Sequence, residues 1–514
     1  MFSVTEIKLA LLLILLMLAC TVAISAKFLR LPYSVSLVLA GLVIGQLKIL
    51  PPIELSYDLV LFICLPALIF EAAWNLNSKD LLKQLRPVLI LAILGVFITL
   101  FTSIIILNKI ALVNLSIAIM FGAIIAATDP ISVLAVFKQL GIDKKIVIIL
   151  EGESLFNDGV AVVVFGFANS FVLSNLSFNI NPVNIIIKFL LVIMGGALIG
   201  VIIGTVAGKF KLFFKNHLLA ITISGVVAYG SFLVGDLFHA SSVIAAIMAS
   251  LVFTNTKNKN NMGASARLAL NGFWEYAAFM VNSLVFLLIG LQMNLQLLFQ
   301  EYKLISLGII AILLARFILI YGLSFIYQNQ DHKLNLNEKH IVFLGALRGG
   351  LSMALALSLP AQIPHRNQII VLTYGVVLFT LIVPGLSIEY VVKKLKLIPQ
   401  YFGELLIYEK LKTALILEQN ALNGLKDIFQ KGEIELTLYD EMQNQLKLKI
   451  TGLLSQIQEL HLNNELIRST QNKMIQQKLY EIRKDNLLQE IHLNVISNDV
   501  ANELLTELDE SIEE

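Results

Sequence analysis

Apolar stretches of roughly 18–25 residues recur along residues 1–395, each long enough to cross about 30 Å of hydrocarbon. In lipid such a stretch satisfies its own backbone groups as a helix. The composition agrees: 57% of the 514 residues are hydrophobic and the mean hydropathy is +0.81. A polytopic membrane protein is therefore expected. Thirteen spans are expected, at roughly 7–28, 33–48, 56–75, 84–107, 112–138, 146–173, 185–208, 217–235, 240–255, 271–297, 303–327, 339–359 and 366–392. The first run, at about 9–26, is too long for a signal core, and its flank carries only Lys8 beside Glu6. It reads as a retained helix. Cys20 and Cys64 both fall in spans and support neither a disulfide framework nor a metal site.

Charge orients the spans. With thirteen of them, nineteen loop Lys/Arg fall on one side and six on the other. The cation-rich side is expected to be cytoplasmic. The N-terminus then lies outside, and the chain from about residue 397 lies in the cytoplasm. Residues 1–399 hold 27 Lys/Arg and 16 Asp/Glu, against 11 and 20 in residues 400–514. An apolar, slightly basic body thus precedes an acidic tail. No basic stripe or nucleic-acid motif is present, and no nucleic-acid partner is expected.

Span seven separates two sets of six spans that begin on opposite sides, the arrangement of an inverted repeat. Spans five and twelve hold matching places in the two sets, and both are interrupted. Span five carries "AATDPIS", where Pro130 removes a backbone donor. Span twelve carries "GALRGGLSMA", with glycines around Arg348. Broken helices in corresponding places point to a transporter's binding site.

Ionisable residues inside the spans are costly, so each is a functional or pairing candidate: Glu71, Asp129, Glu151, Glu153, Asp158, Arg316 and Arg348. Four of them lie in or beside "EGESLFNDG" of span six or the break of span five. On a wheel, Glu151, Ser154 and Asp158 fall at about 0°, 300° and 340°, while Glu153 and Asn157 fall at about 200° and 240°. Asp158 with Ser154 can face an ion; Glu153 points elsewhere and needs a cation of its own. Asp158 lies about 18 Å, and Asp129 about 14 Å, in from the cytoplasmic ends of their spans. Thr128, Asp129, Ser154 and Asp158 offer oxygens suited to a hard monovalent cation. No His or Cys stands beside them, against a transition metal.

Five motifs carry a resemblance: "LPALIFEAAW", "AATDPISVLAVFKQLG", "EGESLFNDGVAVVVF", "FWEYAAFMVNSLVFLLIGL" and "GALRGGLSMALAL". In this order over residues 10–395, the chain resembles the sodium/proton antiporters of the NhaP and NHE type, in the cation:proton antiporter superfamily. The resemblance implies an all-α fold of two inverted six-helix repeats. It also implies a homodimer in the bilayer, with no cofactor and no enzymatic activity. Residues 1–396 would form the antiporter domain, with core helices at about 84–173 and 303–392 whose broken members cross. Residues 397–514 would form a helical cytoplasmic tail.

By the same resemblance, Asp158 would bind the transported cation (Na⁺, with Li⁺ a further candidate) or a proton, with Asn157 beside it. Thr128, Asp129 and Ser154 would line the site, and Glu71 would approach it. Glu153 would pair with Arg316. Arg348 and Asp129 would offset the charge of the half-helix ends. An Asn-Asp pair at this point implies electroneutral one-for-one exchange. Glu151 is left without a role. The alternatives are potassium/proton exchange, a cation channel, which would need no inverted repeat, and an intramembrane aspartic protease built on Asp129 and Asp158. The tail repeats apolar positions at helical spacing, as a soluble helical appendage would.

Overall fold

The computed structural model describes residues 4–29, 32–48, 59–76, 78–174, 182–209, 217–255, 264–323, 334–360, 362–395, 397, 402–431 and 433–463. Of the loop cations counted above, Arg30, Lys211, Lys215, Lys257, Lys259, Lys333 and Lys396 lie outside these residues, as does the tail beyond 463. Among the described residues every element is helical. The chain divides into two compact units, Met1–Leu397 and Ile398–Glu514.

The first unit opens with α1 (Val4–Leu29), α2 (Tyr33–Gln46) and α3 (Leu65–Asn75), the last preceded by a π-helical turn, Leu59–Cys64. A short α4 (Ser78–Lys83) leads into α5 (Leu85–Ile104), which runs on as a π-helix over Ile105–Ile110. Then come α6 (Leu115–Ile125), α7 (Ile131–Leu140), α8 (Lys144–Leu173), α9 (Pro182–Lys209), α10 (His217–Leu237) and α11 (Ser242–Asn255). The remainder is α12 (Ala264–Gln292), α13 (Leu295–Gln300), α14 (Tyr302–Phe317, extended by Ile318–Gly322), α15 (Leu336–Leu344), α16 (Gly350–Leu357) and α17 (Arg366–Lys394). Seven of these helices, α5, α8, α9, α10, α12, α14 and α17, are long and apolar enough to cross a membrane. Shorter apolar helices lie in α1, α2, α3, α6, α7 and α11.

Local chemistry sets the ends. α7 starts after Pro130 and stops at Gly141, whose φ of 67° suits a residue without Cβ. Two residues on, Asp143 caps α8 by accepting the Lys145 N–H at 2.8 Å. Asn335 and Glu338 form a reciprocal capping box on α15. The segment expected at 271–297 instead starts at Ala264 and stops at Gln292. There Asn294 accepts the N–H groups of Gln296 and Leu297 and opens the separate α13.

Helices meet where side chains are small. Gly196, Gly200 and Gly204, four residues apart, lay one edge of α9 against Ser241, just before α11, and Ala245 and Ala249 within it. Gly41 of α2 meets Gly290 of α12 in the same backbone-to-backbone way. Without a hydrophobic force between helices in lipid, such close approach is what holds them. Leu155 and Phe156 of α8 join Ile69 of α3, Phe232 of α10, and Val243 and Ile247 of α11 in one buried cluster.

One charged pair is also buried. Glu153 on α8 and Arg316 on α14 are 2% and 7% exposed. Arg316 Nη1 donates to Glu153 Oε1, and Nη2 reaches both Glu153 Oε2 at 3.0 Å and the Val342 carbonyl of α15 at 2.8 Å. The pair therefore ties three helices together.

In the second unit, α18 (Phe402–Gln430) and α19 (Leu436–Asn463) form an antiparallel hairpin. Tyr408 packs with Ile457, Lys449 lies 3.8 Å from Glu418, and the rings of Phe429 and Tyr439 stack near the turn.

Two expectations follow. A Cβ at Gly200 runs into the Ala245 carbonyl, whereas one at Gly225 of α10 meets nothing within 4 Å. Gly200→Leu should lower the thermal midpoint of the detergent-solubilised protein, an overpacking cost of about 1–3 kcal/mol, and Gly225→Leu should not. Arg316→Ala strands a buried carboxylate and should cost about 3–5 kcal/mol. Arg316→Met with Glu153→Gln should recover part of the folded yield, read by fluorescence-detected size exclusion.

Candidate functional site

The two breaks in the helices lie against each other. Between α6 and α7 the chain is open at Ala127–Pro130, and between α15 and α16 it is open at Ala346–Gly349. Asp129 N donates to the Leu347 carbonyl at 2.8 Å, joining the two. Arg348 Nη1 donates to the carbonyls of Ala126 and Ala127 at 3.0 and 3.2 Å. These carbonyls end α6, where the helix dipole is negative, so the guanidinium meets the charge it suits. Asp129 does the converse. Its carboxylate accepts from Ile131 N at 3.2 Å and from Gly350 N, the first N–H groups of α7 and α16. Gly349 permits this approach, because a Cβ there would collide with the Asp129 side chain. Arg348 N is held by Thr380 Oγ1 of α17 at 3.2 Å.

α8 runs beside this crossing and presents two faces to it. On one, Ser154 Oγ donates to the Thr128 carbonyl at 2.5 Å. Asp158 stands one turn further along, and its Oδ1 is buried without a hydrogen-bond partner. On the other face, Asn157 Nδ2 donates to Thr128 Oγ1 at 2.5 Å and its Oδ1 accepts from Thr128 N at 3.3 Å. The sequence reading groups Asn157 with the cation-binding residues. The structure puts it about 100° round the helix from Asp158, where it clamps the broken segment beside Glu153, Arg316 and Arg348.

A cavity of about 480 Å³ connects the candidate residues. Thr128, Asp129, Ser154 and Asp158 form one part of its wall, and Glu71 of α3 another. Glu71 is held by Asn75 of its own helix, at 2.5 Å. Glu151 and its partner Lys138 also line the cavity, as do Glu275 and Asn282 of α12. Sequence reasoning passes over Glu275, Asn282 and Lys138. Glu275 carried a usable signal, an acid inside the apolar run "FWEYAAF". Lys138 counts as an ordinary loop cation until the fold turns it towards α8.

The arrangement separates two kinds of charge. Asp129 and Arg348 are each taken up by helix ends, and Glu153 and Arg316 by each other. Asp158 alone, among the described residues of the cavity wall, has a buried polar atom with nothing to bond. A buried acceptor without a partner calls for an explanation, such as a bound ion or proton.

Known proteins match the chain in sequence and fold. The family described as sodium/hydrogen exchanger, transmembrane, matches residues 12–394. The Na⁺/H⁺ antiporter ApNhaP of Aphanothece halophytica is 35% identical, over 93% of this chain and 91% of that protein. The Na⁺/H⁺ antiporter NhaG of Bacillus atrophaeus is 34% identical, over 94% and 93%. The solved structure of the sodium proton antiporter MjNhaP1 of Methanocaldococcus jannaschii shares the fold, with a TM-score of 0.63 and 21% identity over 76% of this chain and 99% of that one. A protease reading of Asp129 and Asp158 falls with these matches. The chain belongs to the transmembrane sodium/hydrogen exchanger family, whose members are membrane transporters and not enzymes.

Proposed function

We propose that this protein exchanges Na⁺ for H⁺ across a membrane, with Asp158 as the group that carries either ion. The observation that carries the reading is the unpartnered, buried Oδ1 of Asp158 on a cavity wall beside the oxygens of Thr128, Ser154 and Asp129. The names of the relatives support sodium as the cation, and give potassium no comparable support. Li⁺, with the same charge and oxygen preference, is a second substrate. A channel would have no use for a carboxylate that must be neutralised before it moves.

Coupling follows from the cost of a lone charge in lipid. With a proton or a sodium ion aboard, Asp158 is neutral. Empty, it is an isolated carboxylate, and carrying it past mid-membrane costs about 3 kcal/mol or more. That is a roughly hundredfold penalty on the unloaded step. The core, α5 to α8 with α14 to α17, would swing as one body against α1–α3 and α9–α12. Thirteen spans in two inverted repeats suit this motion, the broken helices counting as one span each. The remaining helices would hold a homodimer. The N-terminus is outside and the tail cytoplasmic, by the loop charges.

One ion for one proton follows from the site's inventory. Asp129, Arg348, Glu153 and Arg316 keep their partners, so the charge at Asp158 alone changes through the cycle. Asn157, an amide where a second acid would add a charge, clamps Thr128 and does not titrate.

Asp158→Asn should abolish sodium-dependent proton movement in everted vesicles; surviving exchange in that variant would falsify the assignment. In proteoliposomes, the exchange rate of the parent protein should be the same under membrane potentials of either sign. A rate that follows the potential would overturn one-for-one exchange.

A further inference from the structure

Five carboxylates and one ammonium line the cavity among the described residues: Glu71, Asp129, Glu151, Asp158 and Glu275, with Lys138. Lys138 sits in the last turn of α7, and its Nζ lies 2.7 Å from Glu151 Oε1. The two side chains are unequally exposed, 60% for Lys138 and 20% for Glu151. The carboxylate is thus part of the wall, and the ammonium reaches it from a wetter position. Glu151 stands seven residues before Asp158 on the same helix face, about 10 Å away along α8. Glu71, on the same cavity wall, feels the charges of Lys138, Glu151 and Glu275.

We propose that Lys138 is a tethered competitor for the transported cation and sets the protein's apparent affinity for it. The inference rests on the exchange reading of the cavity. An ammonium and a sodium ion seek the same thing, a carboxylate oxygen. A cleft lined by acids concentrates cations. Lys138 cancels the charge of one acid in that field, and its ammonium occupies a carboxylate oxygen that a passing cation would otherwise meet. It touches neither Asp158 nor the oxygens beside it, so it is a positioning residue for the field and not a ligand. The pair is half-open to water, and such pairs are worth up to about 1 kcal/mol, a factor of about three to five.

The opposing possibility is a strut between α7 and α8 with no part in affinity. Sodium titration of proton exchange in everted vesicles, with choline holding ionic strength constant, separates the two. Lys138→Gln should lower the apparent KM for Na⁺ about threefold to fivefold and leave the maximal rate at the parental value. Lys138→Arg, which keeps the charge, should keep the parental KM. Glu151→Gln leaves the ammonium unneutralised and should raise KM. A strut predicts reduced thermal stability in Lys138→Gln at an unchanged KM. That result, or a KM that rises in Lys138→Gln, overturns the proposal alone. A parent protein without sodium-dependent proton flux would remove the exchange reading and the proposal with it.

Discussion

Backbone at membrane depth has no water to bond, so a broken helix there must find partners within the protein. Two breaks are placed together here, and each supplies what the other lacks. The end of α6 exposes carbonyls, which Arg348 from the second break covers. The starts of α7 and α16 expose N–H groups, which Asp129 from the first break receives. Each break contributes the residue that satisfies the other, and a direct backbone bond between Asp129 and Leu347 fixes their separation. Neither opening would be tolerable alone. Once both are closed in this way, a polar cavity can exist between helices that are otherwise apolar.

The same economy governs α8. A helix with three acids and an amide within eight residues distributes them by angle. Its back carries Glu153 to Arg316 and Asn157 to Thr128, both of them joints to neighbouring segments. Its front carries Ser154 and Asp158 to the cavity. Burying an ion pair offers little net stability, but breaking one is expensive. The back of α8 is thereby anchored by paired groups, while the carboxylate of Asp158 on the front keeps a buried oxygen without a hydrogen-bond partner.

Much of this was readable before any coordinates. Hydropathy located the helices because lipid imposes length and apolarity on each segment. Pro130 and the glycines around Arg348 located the breaks because each interrupts the backbone ladder. The helical wheel separated Glu153 from Asp158 by angle alone. Less was readable where the outcome depends on neighbours distant in sequence. Asn157 faces the broken segment because Thr128 is there to receive it, a contact 29 positions away. Lys138 looks like any basic residue at a helix end until Gly141 and Asp143 turn the chain and bring Glu151 back beside it. The end of α12 was misjudged by five residues because Asn294 opens a new helix within a stretch that is still apolar.

Glu71 differs from the other carboxylates of the cavity in how it is held. Asp129 is bound into two helix ends, and Glu151 to another helix through Lys138. Glu71 accepts a hydrogen bond from Asn75 Nδ2, one turn further along its own helix. Its side chain therefore fastens no two segments together. A substitution at that position would change the charge of the cavity wall while the crossing, the buried pair and the glycine contacts stay as they are.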